Sequence, residues 1–304
     1  MPSPKVIKPP TLDDIKTEDK DLDLLPNSII ITGQSGAGKT TMAGTAFCDL
    51  SERLAMKPAE LAKAERITLK GACWFLSDDR GLVSLSARKV APEYVIDFRA
   101  LIKKAEGNVD TALQWADSLI AQTREAGAHT FVHDTLSTFD ALMERWYVHG
   151  DGCPLSDSGK QDTRGAWSLV GDRQFQIYQT ATMLDMRLIL LAHPVVNKIE
   201  EAAESKKATD FDKAKADSQG TPGENLIVPA LSGQKFRTII IPQSTISGWL
   251  RAEDRNGKRV RQWMPFGGEG SQGKNRYEGI LDQIEPPDLL AQDKKILASC
   301  GAGE

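Results

Sequence analysis

One octapeptide constrains the fold of this chain more than any other feature: GQSGAGKT, from Gly33 to Thr40. It fits the GxxxxGK[ST] pattern of a phosphate-binding loop, with an apolar strand-like run before it and a helix-like stretch after it. Glycines let consecutive backbone N–H groups turn inward around a phosphate, and the N-terminus of the following helix adds a favourable dipole. The motif therefore predicts a nucleoside triphosphate site on an α/β fold.

The residue types of the loop indicate which group contacts which part of the nucleotide. Lys39 is expected to reach the β- and γ-phosphates, and the Thr40 hydroxyl is expected to bind Mg²⁺. ATP and Mg²⁺ are thus the predicted cofactors. The predicted nucleotide-binding residues are those of the motif and the threonine after it: Gly33, Gln34, Ser35, Gly36, Ala37, Gly38, Lys39, Thr40 and Thr41.

Short β-branched runs alternate with amphipathic stretches from Asn27 onward, which predicts a mainly parallel sheet covered by helices on both faces. The expected strands are 28–32, 73–77, 94–98, 130–133 and 187–192. The expected helices are 39–54, 110–125, 137–147 and 167–184.

The alternation of strand-like and helix-like segments ends after residue 192. Residues 197–225 are polar and predicted to form a long loop, which is uncommon unless the loop is functional or disordered. The runs 237–241, 248–252 and 260–264 predict an antiparallel β extension, with a hairpin turn at Asn256-Gly257. A short helix is expected over 286–297. We expect a lead-in over residues 1–26, one ATPase core over 27–290 and a tail over 291–304.

Polar residues at three strand ends are candidates for the catalytic apparatus. Asp134 ends an apolar run and would hold Mg²⁺ together with Thr40. Asp79, or its neighbour Asp78, would orient the attacking water, provided that strand 73–77 lies beside the loop-bearing strand. His193 ends the run 187–192 and would sense the γ-phosphate.

Composition excludes several classes of protein. Four cysteines without a CxxC pair argue against a disulfide framework or a zinc site. The apolar runs are too short to cross a bilayer, so no membrane partner is expected. The N-terminal residues lack the apolar core of a signal peptide, which favours the cytoplasm. A net charge of −4 argues against binding nucleic acid through bulk positive charge.

The order of these motifs, GQSGAGKT, WFLSDD, TFVHDTLS and LILLAH, resembles that of the RecA-like core ATPases. It is most similar to the stand-alone, phage-encoded proteins implicated in single-strand annealing and recombination. The resemblance implies a RecA-like P-loop NTPase core that hydrolyses ATP in a DNA-dependent manner. It implies Asp79 as the catalytic carboxylate, although that family uses Glu there, and His193 where the family often has Gln. It also implies that the loop 197–225 binds DNA.

The same resemblance implies an oligomer, either a ring or a filament. Lys274 and Arg276, in the sequence GKNR, would enter the ATP site of the neighbouring subunit and complete it in trans. Single-stranded DNA is the implied partner, a single-strand-binding protein is a further one, and the host cytoplasm is the implied location. The segments differ in charge: residues 198–224 carry five bases and seven acids, whereas residues 233–278 carry nine bases and four acids.

Two other functions remain open at this level. A P-loop nucleotide or small-molecule kinase would need an arginine-rich lid, for which Arg251, Arg255 and Arg259 are candidates. A nucleotide-gated assembly or packaging component would use the same loop mainly for structure. DNA stimulation of ATP hydrolysis, or phosphate transfer to a nucleotide, would distinguish these functions.

Overall fold

The computed structural model describes residues 25–77, 81–198, 225–231, 234–255, 257–266 and 273–300. The strands of the large sheet are β1 (Ser28–Gly33), β2 (Ile67–Leu76), β3 (Val90–Asp97), β4 (Thr130–Asp134), β5 (Arg187–Ala192), β8 (Ile246–Arg255), β9 (Lys258–Met264) and β10 (Lys274–Asn275). The strands of a small second sheet are β6 (Pro194–Lys198) and β7 (Asn225–Pro229).

The helices flank the large sheet. The short ones are α1 (Lys39–Gly44), α2 (Ser51–Ala55), α3 (Pro58–Lys63), α4 (Val83–Ser86) and α5 (Phe98–Lys104). The longer ones are α6 (Val109–Glu125), α7 (Leu136–Tyr147), α8 (Thr163–Met183), α9 (Gln234–Gln243) and α10 (Leu289–Ser299). No helix among the described residues is both long and apolar enough to cross a bilayer.

The large sheet has the strand order β10-β8-β1-β5-β4-β2-β3, and β9 pairs with β8. All neighbours from β8 to β3 run parallel, whereas β9 and β10 are antiparallel to β8. The predicted fold class, a mainly parallel sheet with flanking helices and a C-terminal antiparallel β extension, is therefore confirmed. The carboxyl ends of β1, β5 and β4 meet at one edge, where the candidate site lies.

Both faces of the sheet are buried, which explains the continuous apolar runs of the central strands. Ile30 of β1 packs with the cluster that includes Phe75 and the helices α6 to α8. Its neighbours Ile29 and Ile31 point to the opposite face, where α1 and α10 cover them. This alternation follows from the two-residue period of a strand.

Two predicted elements differ from the structure. The run 237–241 is not a strand but part of helix α9, in which Ile240 and Ile241 are buried in the same cluster as α8. Three adjacent isoleucines favour a strand locally, but burial against a neighbouring helix overrides that preference. The predicted helix 39–54 is divided in the structure into α1, which ends at Gly44, and α2, which begins at Ser51. Gly44 packs closely against α4, since an added Cβ there would lie only 3.0 Å from Leu85 Cδ2.

The C-terminal elements agree with their predictions more closely. Gly257, with a φ of +74°, lies in the turn between β8 and β9, and Arg255 pairs with Lys258, so the predicted hairpin is confirmed. The closing helix is α10, which begins at Leu289 and ends at Ser299 and so runs across the expected boundary at residue 290. Of the predicted loop 197–225, Asn197 and Lys198 belong to β6 and Asn225 to β7, and the remainder lies outside the described residues.

Candidate functional site

The phosphate-binding loop joins β1 to α1 at the carboxyl edge of the sheet. Gly36 and Gly38 have φ angles of +74° and +104°, a backbone conformation that residues with a Cβ rarely adopt. Gly33 is required for a different reason, since a Cβ there would lie 2.7 Å from the carbonyl oxygen of Leu250 on the neighbouring strand. The glycines of the motif thus serve both the turn and the close approach of β8.

Lys39 points back into the loop. Its Nζ donates hydrogen bonds to the carbonyl oxygens of Gly33, at 2.7 Å, and Gln34, at 3.1 Å. Burial lowers the pKa of Lys39 to about 8, although the charge of Asp134 opposes that shift. A phosphate would offer this ammonium stronger, charged acceptors than the two carbonyls.

Thr40 and Asp134 lie together, as the sequence predicts. The Thr40 hydroxyl donates to Asp134 Oδ2 at 2.9 Å, and the indole N–H of Trp74 donates to the same oxygen at 3.4 Å. Asp134 is 2 % exposed, and it ends β4. A hydroxyl and a carboxylate at this separation fit Mg²⁺, which prefers oxygen ligands and typically takes one or two from protein and others from phosphate and water.

His193 follows β5 and faces the loop lysine. Its Nδ1 lies 3.4 Å from Lys39 Nζ, so an imidazole with an unprotonated Nδ1 accepts a hydrogen bond from the ammonium. The backbone N–H of His193 donates to the Ser137 hydroxyl, and its carbonyl oxygen accepts from the N–H of Ala230. His193 therefore joins the lysine to the base of the β6–β7 ribbon.

The predicted catalytic acids Asp78 and Asp79 lie outside the described residues. The structure corrects the expectation about their strand: β2 pairs with β3 and β4, and both β4 and β5 separate it from β1. Because β5 lies next to β1 and β4 comes next, the strand that ends in Asp134 is nearer to the loop than β2 is. The described residues on either side of 78–80 contact Asp134: the N–H of Ser77 donates to its carbonyl oxygen, and a Cβ on Gly81 would lie 3.1 Å from its Oδ2.

Lys274 and Arg276 are not near the loop of their own chain. Lys274 pairs with Ser247, which lies beside Ile30 of β1, three residues before the end of that strand. Lys274 is therefore level with a point about 10 Å before Gly33 along the strand direction. Its strand, β10, is also two strands away from β1. The N–H of Arg276 donates to the carbonyl oxygen of Thr245, which lies just before β8 begins, so both residues lie toward the amino end of β8 and away from the carboxyl edge.

Two arginines lie at the loop: Arg261, which sequence reasoning did not single out, and Arg259, which it named only for the lid of a kinase. Arg261 Nε donates to the carbonyl oxygen of Ala37 at 3.0 Å, and Arg259 Nη2 lies 3.8 Å from the position of a Cβ on Gly36. Both come from β9, about 220 positions along the chain from the loop. The predicted strand 260–264 includes Arg261 but not Arg259, whereas β9 begins at Lys258 and so places both, two residues apart, on one face.

The family model described as AAA domain matches residues 25–221, about two thirds of the chain. This chain belongs to that AAA domain family. The AAA-domain chain is accordingly a nucleotide-binding P-loop ATPase. A search of curated protein sequences finds no match. Among solved structures, a KaiC-like protein from the hyperthermophilic archaeon Pyrococcus horikoshii OT3 is similar, with a TM-score of 0.37, 12 % identity and 79 % of each chain covered.

Proposed function

We propose that this AAA-domain protein hydrolyses ATP while acting on single-stranded DNA, in recombination, annealing or replication of a phage genome. The observation that carries the proposal is the contact between Lys39 and His193. It couples the phosphate site to the β6–β7 ribbon, which flanks the segment 199–224 in sequence. A change at the phosphates would thus reach the part of the chain that is expected to contact DNA.

The proposed chemistry assigns one role to each polar group of the site. Lys39 exchanges its two carbonyl acceptors for the β- and γ-phosphates. Thr40 and Asp134 would hold Mg²⁺, which would supply positive charge to the phosphates. The carboxylate of Asp79, or of Asp78, takes a proton from a water molecule. The oxygen of that water bonds to the γ-phosphorus as the bond from phosphorus to the β–γ bridging oxygen breaks.

His193 has the role of a sensor in this scheme. When Lys39 turns to the phosphates, its hydrogen bond with the imidazole breaks, and the imidazole then offers a polar group to the γ-phosphate. Because the His193 carbonyl holds Ala230 at 2.7 Å, a movement of the residue is passed to β7. We expect His193→Ala to keep nucleotide binding but to abolish the effect of ATP on DNA binding, and His193→Gln to restore part of that effect.

The charges of Lys274 and Arg276 support assembly into a ring or filament. Burial, together with the neighbouring Arg276, lowers the pKa of Lys274 at an edge far from its own phosphates. In a head-to-tail oligomer these two bases would approach the ATP of the neighbouring subunit, where they would stabilise the transition state.

The first experiment measures ATP hydrolysis with and without single-stranded DNA, and DNA binding at low salt with ATP or a non-hydrolysable analogue. We expect DNA to raise turnover, and we expect binding to require nucleotide and to weaken steeply with salt. Lys39→Ala should abolish hydrolysis. Absence of DNA binding at low salt in the presence of ATP would overturn the proposal, and γ-phosphate transfer to a nucleotide would identify a kinase instead.

The second experiment tests completion of the site in trans. Arg276→Ala should bind ATP normally but hydrolyse it slowly. Mixing it with Lys39→Ala should restore part of the activity, because some interfaces then combine an intact loop with an intact arginine. A monomer that hydrolyses ATP at the full rate would contradict assembly as a requirement.

A further inference from the structure

The hairpin of β8 and β9 extends beyond the strand that carries the phosphate-binding loop. The ten-residue strand β8 pairs with β1 only over its first half, where Leu250 is level with Gly33 at the end of β1. Its second half pairs with β9 alone, up to Arg255 and Lys258 at the turn. This overhanging part lies alongside the loop 34–38.

Arg261 contacts the loop from this overhang. Its Nε donates to the Ala37 carbonyl oxygen at 3.0 Å. The side chain also occupies the space next to Gly38, where an added Cβ would lie 3.0 Å from Nε and 3.1 Å from Cδ. The C=O of Ala37 and the N–H of Gly38 belong to one planar trans peptide and point in opposite directions. A guanidinium that holds the carbonyl on the outside therefore turns the N–H of Gly38 to the inside, where a phosphate binds.

Arg259 lies on the same face of β9, two residues before Arg261. It is exposed, its Nη2 lies near Gly36, and within the described parts of the chain no hydrogen bond or ion pair holds its guanidinium. Arg251 and Arg255 on β8 differ from it in this respect. They face the other side of the hairpin, and both form ion pairs with Glu253.

We propose that the β8–β9 hairpin clamps the nucleotide site within its own subunit. Arg261 is a positioning residue that acts through the Ala37–Gly38 peptide, and Arg259 supplies a cation to the terminal phosphate of the bound nucleotide. Arginine suits both tasks because its planar fork donates several hydrogen bonds and stays charged. The proposal rests on nucleotide binding at the loop, not on a role with DNA, so it survives if DNA has no effect.

The proposal predicts different nucleotide preferences for the two arginines. Arg259→Ala should weaken ATP binding about tenfold and ADP binding less than twofold, since only ATP carries the terminal phosphate. Arg261→Ala should weaken ATP and ADP by a similar factor of about five to ten, since the loop holds the β-phosphate of both. Arg259→Lys should recover most of the ATP affinity because it keeps the charge.

Equilibrium titration with fluorescent ATP and ADP analogues, in Mg²⁺ and without DNA, measures these factors. Arg251→Ala and Arg255→Ala are the matched controls, from the same hairpin but the opposite face, and they should bind both nucleotides as the unchanged protein does. Urea unfolding without nucleotide shows whether each variant is folded. The proposal is overturned if Arg259→Ala leaves the ATP-to-ADP preference unchanged, or if the controls lose as much affinity as Arg259→Ala and Arg261→Ala do.

Mixing separates action within the subunit from action across an interface. Arg259→Ala mixed with Lys39→Ala should not regain ATP affinity, because no subunit then has both its own loop lysine and its own arginine. Recovery in this mixture would place Arg259 in the site of a neighbour and overturn the clamp. Recovery with Arg276→Ala, the trans candidate, is a separate result that leaves the clamp unaffected.

Discussion

The burial of the His133 imidazole leads us to predict that the free energy of unfolding depends on pH. His133 is 2 % exposed, and it precedes Asp134 at the end of β4. Its Nε2 lies 3.1 Å from the Ser77 hydroxyl, and its ring meets Phe75 and Phe139 edge-on, with centroids 4.7 and 5.2 Å away. Burial lowers the pKa of His133 to about 3, so the folded protein holds it neutral.

The size of the effect follows from proton linkage. An unfolded histidine has a pKa of about 6.5, so below that pH His133 binds a proton in the unfolded chain but stays neutral in the folded chain. The stabilising contribution of neutral His133 is complete above about pH 6.5 and is lost as the pH falls toward 3. Between pH 8 and pH 5 the loss is about 2 kcal/mol, and a folded pKa of about 4 would give nearly the same loss.

Urea unfolding followed by circular dichroism at pH 8 and pH 5 tests this prediction. His133→Gln cannot titrate, and its amide can still reach the Ser77 hydroxyl, so its stability should fall about 2 kcal/mol less than that of the unchanged protein over this interval. His149→Gln is the control for the substitution itself, because the side chain of His149 is 65 % exposed rather than buried. An equal loss in the His133→Gln variant and the unchanged protein would refute the reasoning.

Three other predictions concern the loop, the metal acid and the C-terminal helix. The affinity for a fluorescent ATP analogue should fall by up to tenfold per pH unit above about pH 8, because the buried Lys39 then loses the proton that the phosphates require. Trp74→Phe should raise the half-saturating Mg²⁺ concentration in ATP hydrolysis about fivefold, because Asp134 loses a hydrogen bond that orients it. Asp293→Asn should lower the free energy of unfolding by about 3 kcal/mol, because Arg187, bonded at 2.6 and 2.8 Å, then faces a neutral amide instead of a carboxylate.

Each of these has a matched comparison. Lys39→Arg stays charged across the range and should show a flat affinity profile, and a flat profile for the unchanged protein would contradict the first prediction. Trp146→Phe changes an indole whose N–H has no partner among the described residues, so its Mg²⁺ requirement should not move. Asp282→Asn removes an exposed carboxylate that pairs with Lys295, and it should leave the free energy of unfolding unchanged within error, unlike Asp293→Asn.

The sequence alone predicted the parts of the site whose causes are local. The glycine spacing around Lys39 specifies a strand–loop–helix unit because few other residues can adopt the required φ angles. The apolar run before Asp134 predicted a strand with a carboxylate at its end, and the structure places that carboxylate 2.9 Å from the Thr40 hydroxyl. Alternation of strands and helices was sufficient for the parallel sheet. The catalytic role of Asp79 and the trans role of Arg276 stay predictions.

Tertiary structure decided what local pattern does not encode. Three isoleucines near residue 240 favour a strand, yet they lie in α9 because burial against α8 outweighs their intrinsic preference. The order of the strands put β5, not β2, beside the loop-bearing strand. The pairing of β8 with β1 and of β9 with β8 places Arg261, 224 positions along the chain, within hydrogen-bond distance of the Ala37 carbonyl. Spacing along the chain specifies a backbone turn, but only the packed sheet determines which distant side chain lies against it.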